Sequence, residues 1–154
     1  DGIGAVAGED LAGVTGRLEA ELSDIDGLGP YVLDADAVHL GDREGDPGEY
    51  AAVAQTGITV LGLDDLRTRG PVVPAVPYWV HVDADVLDSA LLPAVDSPAP
   101  GGLTFDELSA LLRTLLDGPA VGVQITVFDP DLDPDGAQAN ALTDCLVTGL
   151  GERA

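Results

Sequence analysis

Four short runs rich in β-branched and aromatic residues punctuate the chain: 37–40 (AVHL), 58–61 (ITVL), 78–82 (YWVHV) and 121–128 (VGVQITVF). Between and after them lie stretches with helical spacing: 48–55, 63–67, 104–116 and 135–150. Such alternation predicts parallel strands whose connecting helices cross the sheet faces, since a parallel pair needs a crossover rather than a hairpin. The clearest helix is 104–116. Leu108, Leu111, Leu112 and Leu115 fall on one stripe, and Thr104 and Glu107 are spaced as a capping box. Asp46 and Pro47 suit the cap and first turn of the helix at 48–55. The first thirty residues are glycine-rich, with a helix expected at 15–22 and a loop at 24–30. No linker, repeat or low-complexity segment divides the sequence, so residues 1–154 read as a single α/β domain, long enough to bury a sizeable core.

Charge narrows the partners. Acidic side chains number 28 against six arginines and no lysine, for a formal net charge of -22. That field repels phosphate backbones and anionic lipid, which argues against nucleic acid and membrane partners. It favours cations, whether metal ions or a guanidinium-bearing small molecule. Much of it also serves as an ordinary solvated surface. No apolar run approaches the ~20 residues of a membrane span, and the single cysteine, Cys145, has no partner for an internal disulfide. A cytoplasmic location is the expectation. Cys145 lies on the closing helix with no histidine near it in sequence, and reads as a small apolar residue. Methionine is missing even at position 1, which implies a chain that is processed or belongs to a longer one.

In open α/β sheets ligands bind beyond the carboxyl ends of the strands. His81, Val82, Asp83, Ala84 and Asp85 occupy such an end, and the alternation of a strand points residues 81, 83 and 85 the same way. Two carboxylates on one face repel unless a cation lies between them, and oxygen donors suit hard or borderline divalent ions such as Mg²⁺, Ca²⁺ or Mn²⁺. Solvated acidic residues at a strand end are the alternative. His81 shares the face, as a third ligand or as a supporting side chain, and His39, mid-strand, reads as a packed core residue. The Asp131–Asp133–Asp135–Gly136 spacing opens like a calcium loop, but the position for its bidentate glutamate falls on Leu142. A proline-stiffened turn capping the last helix accounts for it better.

Three collinear segments resemble the arginase (ureohydrolase) family. The run from His81 to Leu108 is similar to the family's Asp-x-Asp-x-Leu-Asp-Pro stretch and Pro-Gly-Gly-Leu loop, through Asp83, Asp85, Leu87, Asp88, Pro100, Gly101, Gly102 and Leu103. Ser89 stands where the family has proline. Gly41 to Glu49 resembles Gly-x-Arg-x-x-Asp-Pro-x-Glu, and Phe128 to Pro134 resembles Val-Asn-Pro-x-x-Asp. The resemblance implies a three-layer α/β/α fold with a mainly parallel sheet, of which this chain is the carboxy-terminal part, apparently lacking the amino-terminal strands. It implies two Mn²⁺ ions, with Asp83 and Asp85 as metal ligands and Asp46 and Glu49 holding the amino end of a guanidino substrate. It also implies hydrolysis of a linear guanidino C–N bond, with arginine favoured and urea released, in a trimeric or hexameric homo-oligomer.

The departures matter equally. The family's Gly-Gly-Asp-His and Asp-Ala-His-x-Asp segments do not occur in the sequence, and the fourth strand has Gln124 but no glutamate. Two readings therefore stay beside the enzyme: a degenerate, non-catalytic protein or fragment of this fold, and an unrelated acidic cation-binding module. No residue is assigned a catalytic role.

Overall fold

The computed structural model describes residues 9–43 and 53–151. Asp46, Glu49 and most of the helix expected at 48–55 lie outside them. The chain divides into two compact units, Asp1–His39 with Gly45–Val60, and Leu40–Glu44 with Leu61–Ala154.

The first unit carries α1 (Asp10–Val14), ahead of the helix that the sequence predicts at 15–22, and α2 (Ala20–Ser23), which overlaps only the end of that range. Gly16 is the reason. It sits at φ +83 against Pro30, a left-handed conformation that ends the first helix after Thr15. Arg17 forks onto Asp34, with Nη1 2.8 Å from Oδ1, and the paired guanidinium holds the Asp34 carboxyl below its ordinary range. The strands β1 (Val38–Asp42) and β2 (Thr59–Gly62) bond to each other as a two-stranded sheet. Each passes out of the first unit, β1 after His39 and β2 after Val60. Both run slightly past the apolar residues that signalled them, because backbone pairing carries a strand further than side-chain hydrophobicity does.

The second unit holds the main core. β3 (Tyr78–Asp83) and β4 (Ala120–Thr126) pair in parallel, with Trp79 opposite Gly122, His81 opposite Gln124 and Asp83 opposite Thr126. Alternation along β3 buries Val80 and Val82 while Trp79 and His81 face outward. Three helices complete the unit: α3 (Leu63–Arg69), α4 (Phe105–Leu116) and α5 (Ala137–Leu150). The leucine stripe of α4 is the core face, with Leu108 and Leu112 wholly buried beside Leu87, Leu92 and Leu103. Its capping box forms: Thr104 Oγ1 accepts from the Glu107 amide at 3.2 Å, and Glu107 returns the bond to the Thr104 amide at 2.7 Å. At the start of α5, Asp133 accepts from the amides of Gln138 and Ala139, and Asp135 from that of Ala137. The acidic loop thus spends carboxylates on a helix terminus, where the backbone leaves donors unpaired.

Helices α4 and α5 meet closely. A Cβ at Gly149 would lie 2.9 Å from Leu112 Cβ. In the same seam Ser109 Oγ donates to the Cys145 carbonyl at 2.9 Å, and the Cys145 thiol donates to the Phe105 carbonyl at 3.2 Å. Burial pushes that thiol above its usual range, so Cys145 is an inert packed residue. Strand β4 stops at Thr126, short of the expected 128. Val127 takes φ +74, which turns the chain so that Phe128 bridges Val95 in antiparallel sense. No helix among the described residues is long and apolar enough to cross a membrane.

Candidate metal-ligand site

Asp83 is the last residue of β3, and Asp85 follows in a 3-10 turn, Ala84–Val86. The strand delivers the first carboxylate, and the tight turn brings the second back toward it. Asp83 Oδ1 accepts the Asp85 amide at 3.2 Å. The Asp85 carboxyl is pushed up to about 6, first by burial and then by the charge of Asp83, with Asp96 adding repulsion and Arg43 opposing it. A crowded, partly buried pair of carboxyls that holds a proton this tightly is suited to a divalent cation, which would relieve the repulsion and supply the missing positive charge. The fit is partial. Among the described residues no group of three or more histidine, cysteine, aspartate or glutamate side chains converges to hold a metal ion.

His81 is not brought into such a group. Its ring nitrogens lie 2.6 Å from Gln124 Nε2 and 3.4 Å from Thr126 Oγ1, both on β4. Gln124, the nearest polar candidate near the end of the fourth strand, is thus engaged with His81. Asp46 and Glu49 fall outside the described residues.

The segment after the turn folds back on itself and buries Leu87, Leu92, Ala94, Val95 and Leu103. The Asp88 amide donates to the Leu103 carbonyl at 3.0 Å and the Leu103 amide to the Val86 carbonyl at 2.8 Å, which places Gly102 directly against the Leu87–Asp88 backbone. Asp88 accepts from the amides of Ala90 at 2.8 Å and Gly101 at 2.6 Å, and these bonds hold its carboxyl below the ordinary range. Asp88 is therefore a loop brace. Ser89 donates its amide to the Ala99 carbonyl at 3.1 Å, a bond that proline at this position could not make. The side chain that sequence reasoning named only within a motif, without a role, is Arg43. It follows β1 directly and donates Nη2 to the carbonyls of Asp85 and Ala99, while its Nε is buried without a partner among the described residues. Its invariable charge and long reach were the available signals. Beside it opens a cleft of about 460 Å³ lined by both signs of charge, Asp42, Asp64 and Asp65 with Arg43 and Arg67.

A parallel strand pair, helices beside it and a carboxylate pair at a strand's carboxyl end define an α/β protein. Known proteins agree. The model of the arginase family matches residues 28–150. The arginase of Agrobacterium fabrum is 32% identical over 126 residues, covering 74% of this chain and 39% of that protein. The proclavaminate amidinohydrolase of Streptomyces clavuligerus is 40% identical over 75 residues, 49% of this chain and 22% of that one. Among solved structures, the arginase of Bacillus caldovelox superimposes with a TM-score of 0.81 at 22% identity, covering 96% of this chain and 54% of its own. The chain belongs to the arginase family and has its α/β fold. It spans about two-fifths of the length of its curated arginase relatives.

Proposed function

We propose that this chain supplies part of the active site of a manganese-dependent ureohydrolase, hydrolysing a linear guanidino or amidine C–N bond, with arginine the favoured substrate and urea the product. The observation that carries the reading is the Asp83–Asp85 pair at the carboxyl end of β3, whose raised Asp85 carboxyl marks a place where a cation would be stabilised. Bound Mn²⁺ ions would supply a water of lowered pKa and a template for the substrate. Asp83 and Asp85 would hold the metal, and the turn that carries Asp85 would keep the two carboxylates on one side. Asp46 and Glu49 would receive the substrate's ammonium group, for which paired carboxylates are suitable acceptors. Relatives named arginase, guanidinopropionase and agmatinase support a small guanidino compound as substrate. A cytoplasmic location and a trimeric or hexameric assembly belong to the same proposal.

One observation favours a second reading, a non-catalytic member of the family: among the described residues, no third ligand group joins the aspartates. Calorimetric titration of Mn²⁺ into wild type and Asp83→Asn/Asp85→Asn, followed by a urea-release assay with arginine, separates the two. Tight uptake of two ions that the double variant abolishes, with urea released, supports the enzyme. Weak uptake that the double variant still abolishes, with no urea, supports the non-catalytic reading. Uptake that the double variant leaves unchanged removes the site altogether.

A further inference from the structure

We infer that Arg43 is a positioning residue for the proposed metal-ligand turn, an inference that rests on Asp83 and Asp85 binding a divalent cation. A guanidinium beside a carboxylate ordinarily forks onto it, as Arg17 does onto Asp34. Arg43 does otherwise. Among the described residues it donates to two backbone carbonyls, those of Asp85 and Ala99. This arrangement keeps guanidinium protons off the Asp85 carboxylate, whereas a forked salt bridge would occupy its lone pairs with them.

The same two bonds fix the turn. Asp85 and Ala99 bracket the folded-back loop, and one nitrogen of Arg43 reaches both ends of it from beyond β1. Holding that carbonyl anchors the backbone of the turn at Asp85, and with it the Cα from which the carboxylate projects. The end of β1 is packed for the purpose. Gly41, at φ +89, runs so close to the turn that a Cβ there would lie 2.9 Å from Val86 Cγ2. The cost of the arrangement is visible in Arg43 Nε, buried without an acceptor among the described residues, which is unfavourable in itself. A lysine would keep the charge, but its freely rotating ammonium lacks the planar nitrogen whose two N–H bonds are held in fixed directions toward the two carbonyls.

The experiment uses the ¹⁵N-labelled full chain and its Arg43→Gln and Arg43→Lys variants. MnCl₂ is titrated while paramagnetic broadening of the Asp83–Val86 amides is compared with broadening over the rest of the acidic surface, and each variant's melting temperature is recorded. In the wild type these amides should broaden first. In Arg43→Gln the midpoint should move to roughly tenfold higher Mn²⁺ or beyond, the range for residues that support metal ligands from behind. Arg43→Lys should recover little of it, and broadening at other carboxylates should not change. A purely structural arginine would lower the melting temperature yet leave the midpoint at Asp83–Val86 unmoved, which overturns the inference. A lysine variant indistinguishable from wild type also overturns it, since charge alone would then suffice. If the glutamine variant does not fold, the lysine variant decides by the same criterion. Wild type without selective broadening at Asp83–Val86 refutes the cation reading of the two aspartates, and this inference with it.

Discussion

Adjacent glycines in the Pro-Gly-Gly-Leu loop should respond very differently to a single methyl group. A Cβ at Gly102 would lie 2.4 Å from the Leu87 carbonyl carbon, 2.5 Å from the Asp88 nitrogen and 2.6 Å from the Leu87 oxygen. Ordinary contact begins near 3.4 Å, so the two backbone segments would have to part by about 1 Å. They resist, because the Asp88 amide is hydrogen-bonded to the Leu103 carbonyl and the Leu103 amide to the Val86 carbonyl, and Leu87 and Leu103 are both buried. Gly102→Ala should therefore cost at the upper end of the overpacking range, ~3 kcal/mol. For a chain of this size that lowers the melting temperature by roughly 6–12 °C. Gly101 sits at φ +80 with open space where a Cβ would stand. Gly101→Ala incurs only the left-handed penalty, ~1 kcal/mol, or roughly 2–4 °C. Thermal melts followed by circular dichroism at neutral pH measure both. A Gly102→Ala protein melting within about 2 °C of wild type, or above Gly101→Ala, would show that the loop is not locked against Leu87–Asp88.

Asp85→Asn should raise the melting temperature at pH 7.5. The folded-state carboxyl is raised to about 6 from an ordinary 3.8, so its contribution is present at low pH and lost as pH rises through about 6, and the variant's advantage should vanish as pH falls back through that window. Glu107 has the opposite sign. Arg67, at 2.8 Å, and the Thr104 amide hold its carboxyl at about 2, so its contribution is present above 4.5 and lost as pH falls toward 2. Glu107→Ala should cost ~1 kcal/mol at neutral pH, through the broken capping box more than the exposed ion pair, as read from urea denaturation. Leu112→Ala should cost ~3 kcal/mol in the same assay, since the side chain is wholly buried and close contact with Gly149 limits collapse of the cavity.

The fold was legible where a pattern repeated. The leucine stripe and the Thr104–Glu107 spacing located α4 and its cap, and alternation located the strands. Strand alternation was the expected reason for Asp83 and Asp85 to share a face, but the strand ends at Asp83, and it is the 3-10 turn after it that carries Asp85. Sequence reasoning failed where one backbone angle decided the outcome. Gly16 stops a helix close to where the sequence predicts one to begin, and Val127 ends β4 early in a conformation that a β-branched residue rarely takes. Arg43 lacked a readable role for a different reason. Its partners are carbonyls at residues 85 and 99, and the backbone looks alike in every sequence.

The sealed thiol in the α4–α5 seam makes the chain its own folding clock. With one cysteine and no competing methionine, any thiol-directed label reports a single location. Cys145 is 5% exposed and its thiol is tied to the Phe105 carbonyl, so a reagent must wait for α5 to lift from α4. The labelling rate would then count openings of that seam alone, independent of any spectroscopic change elsewhere in the molecule.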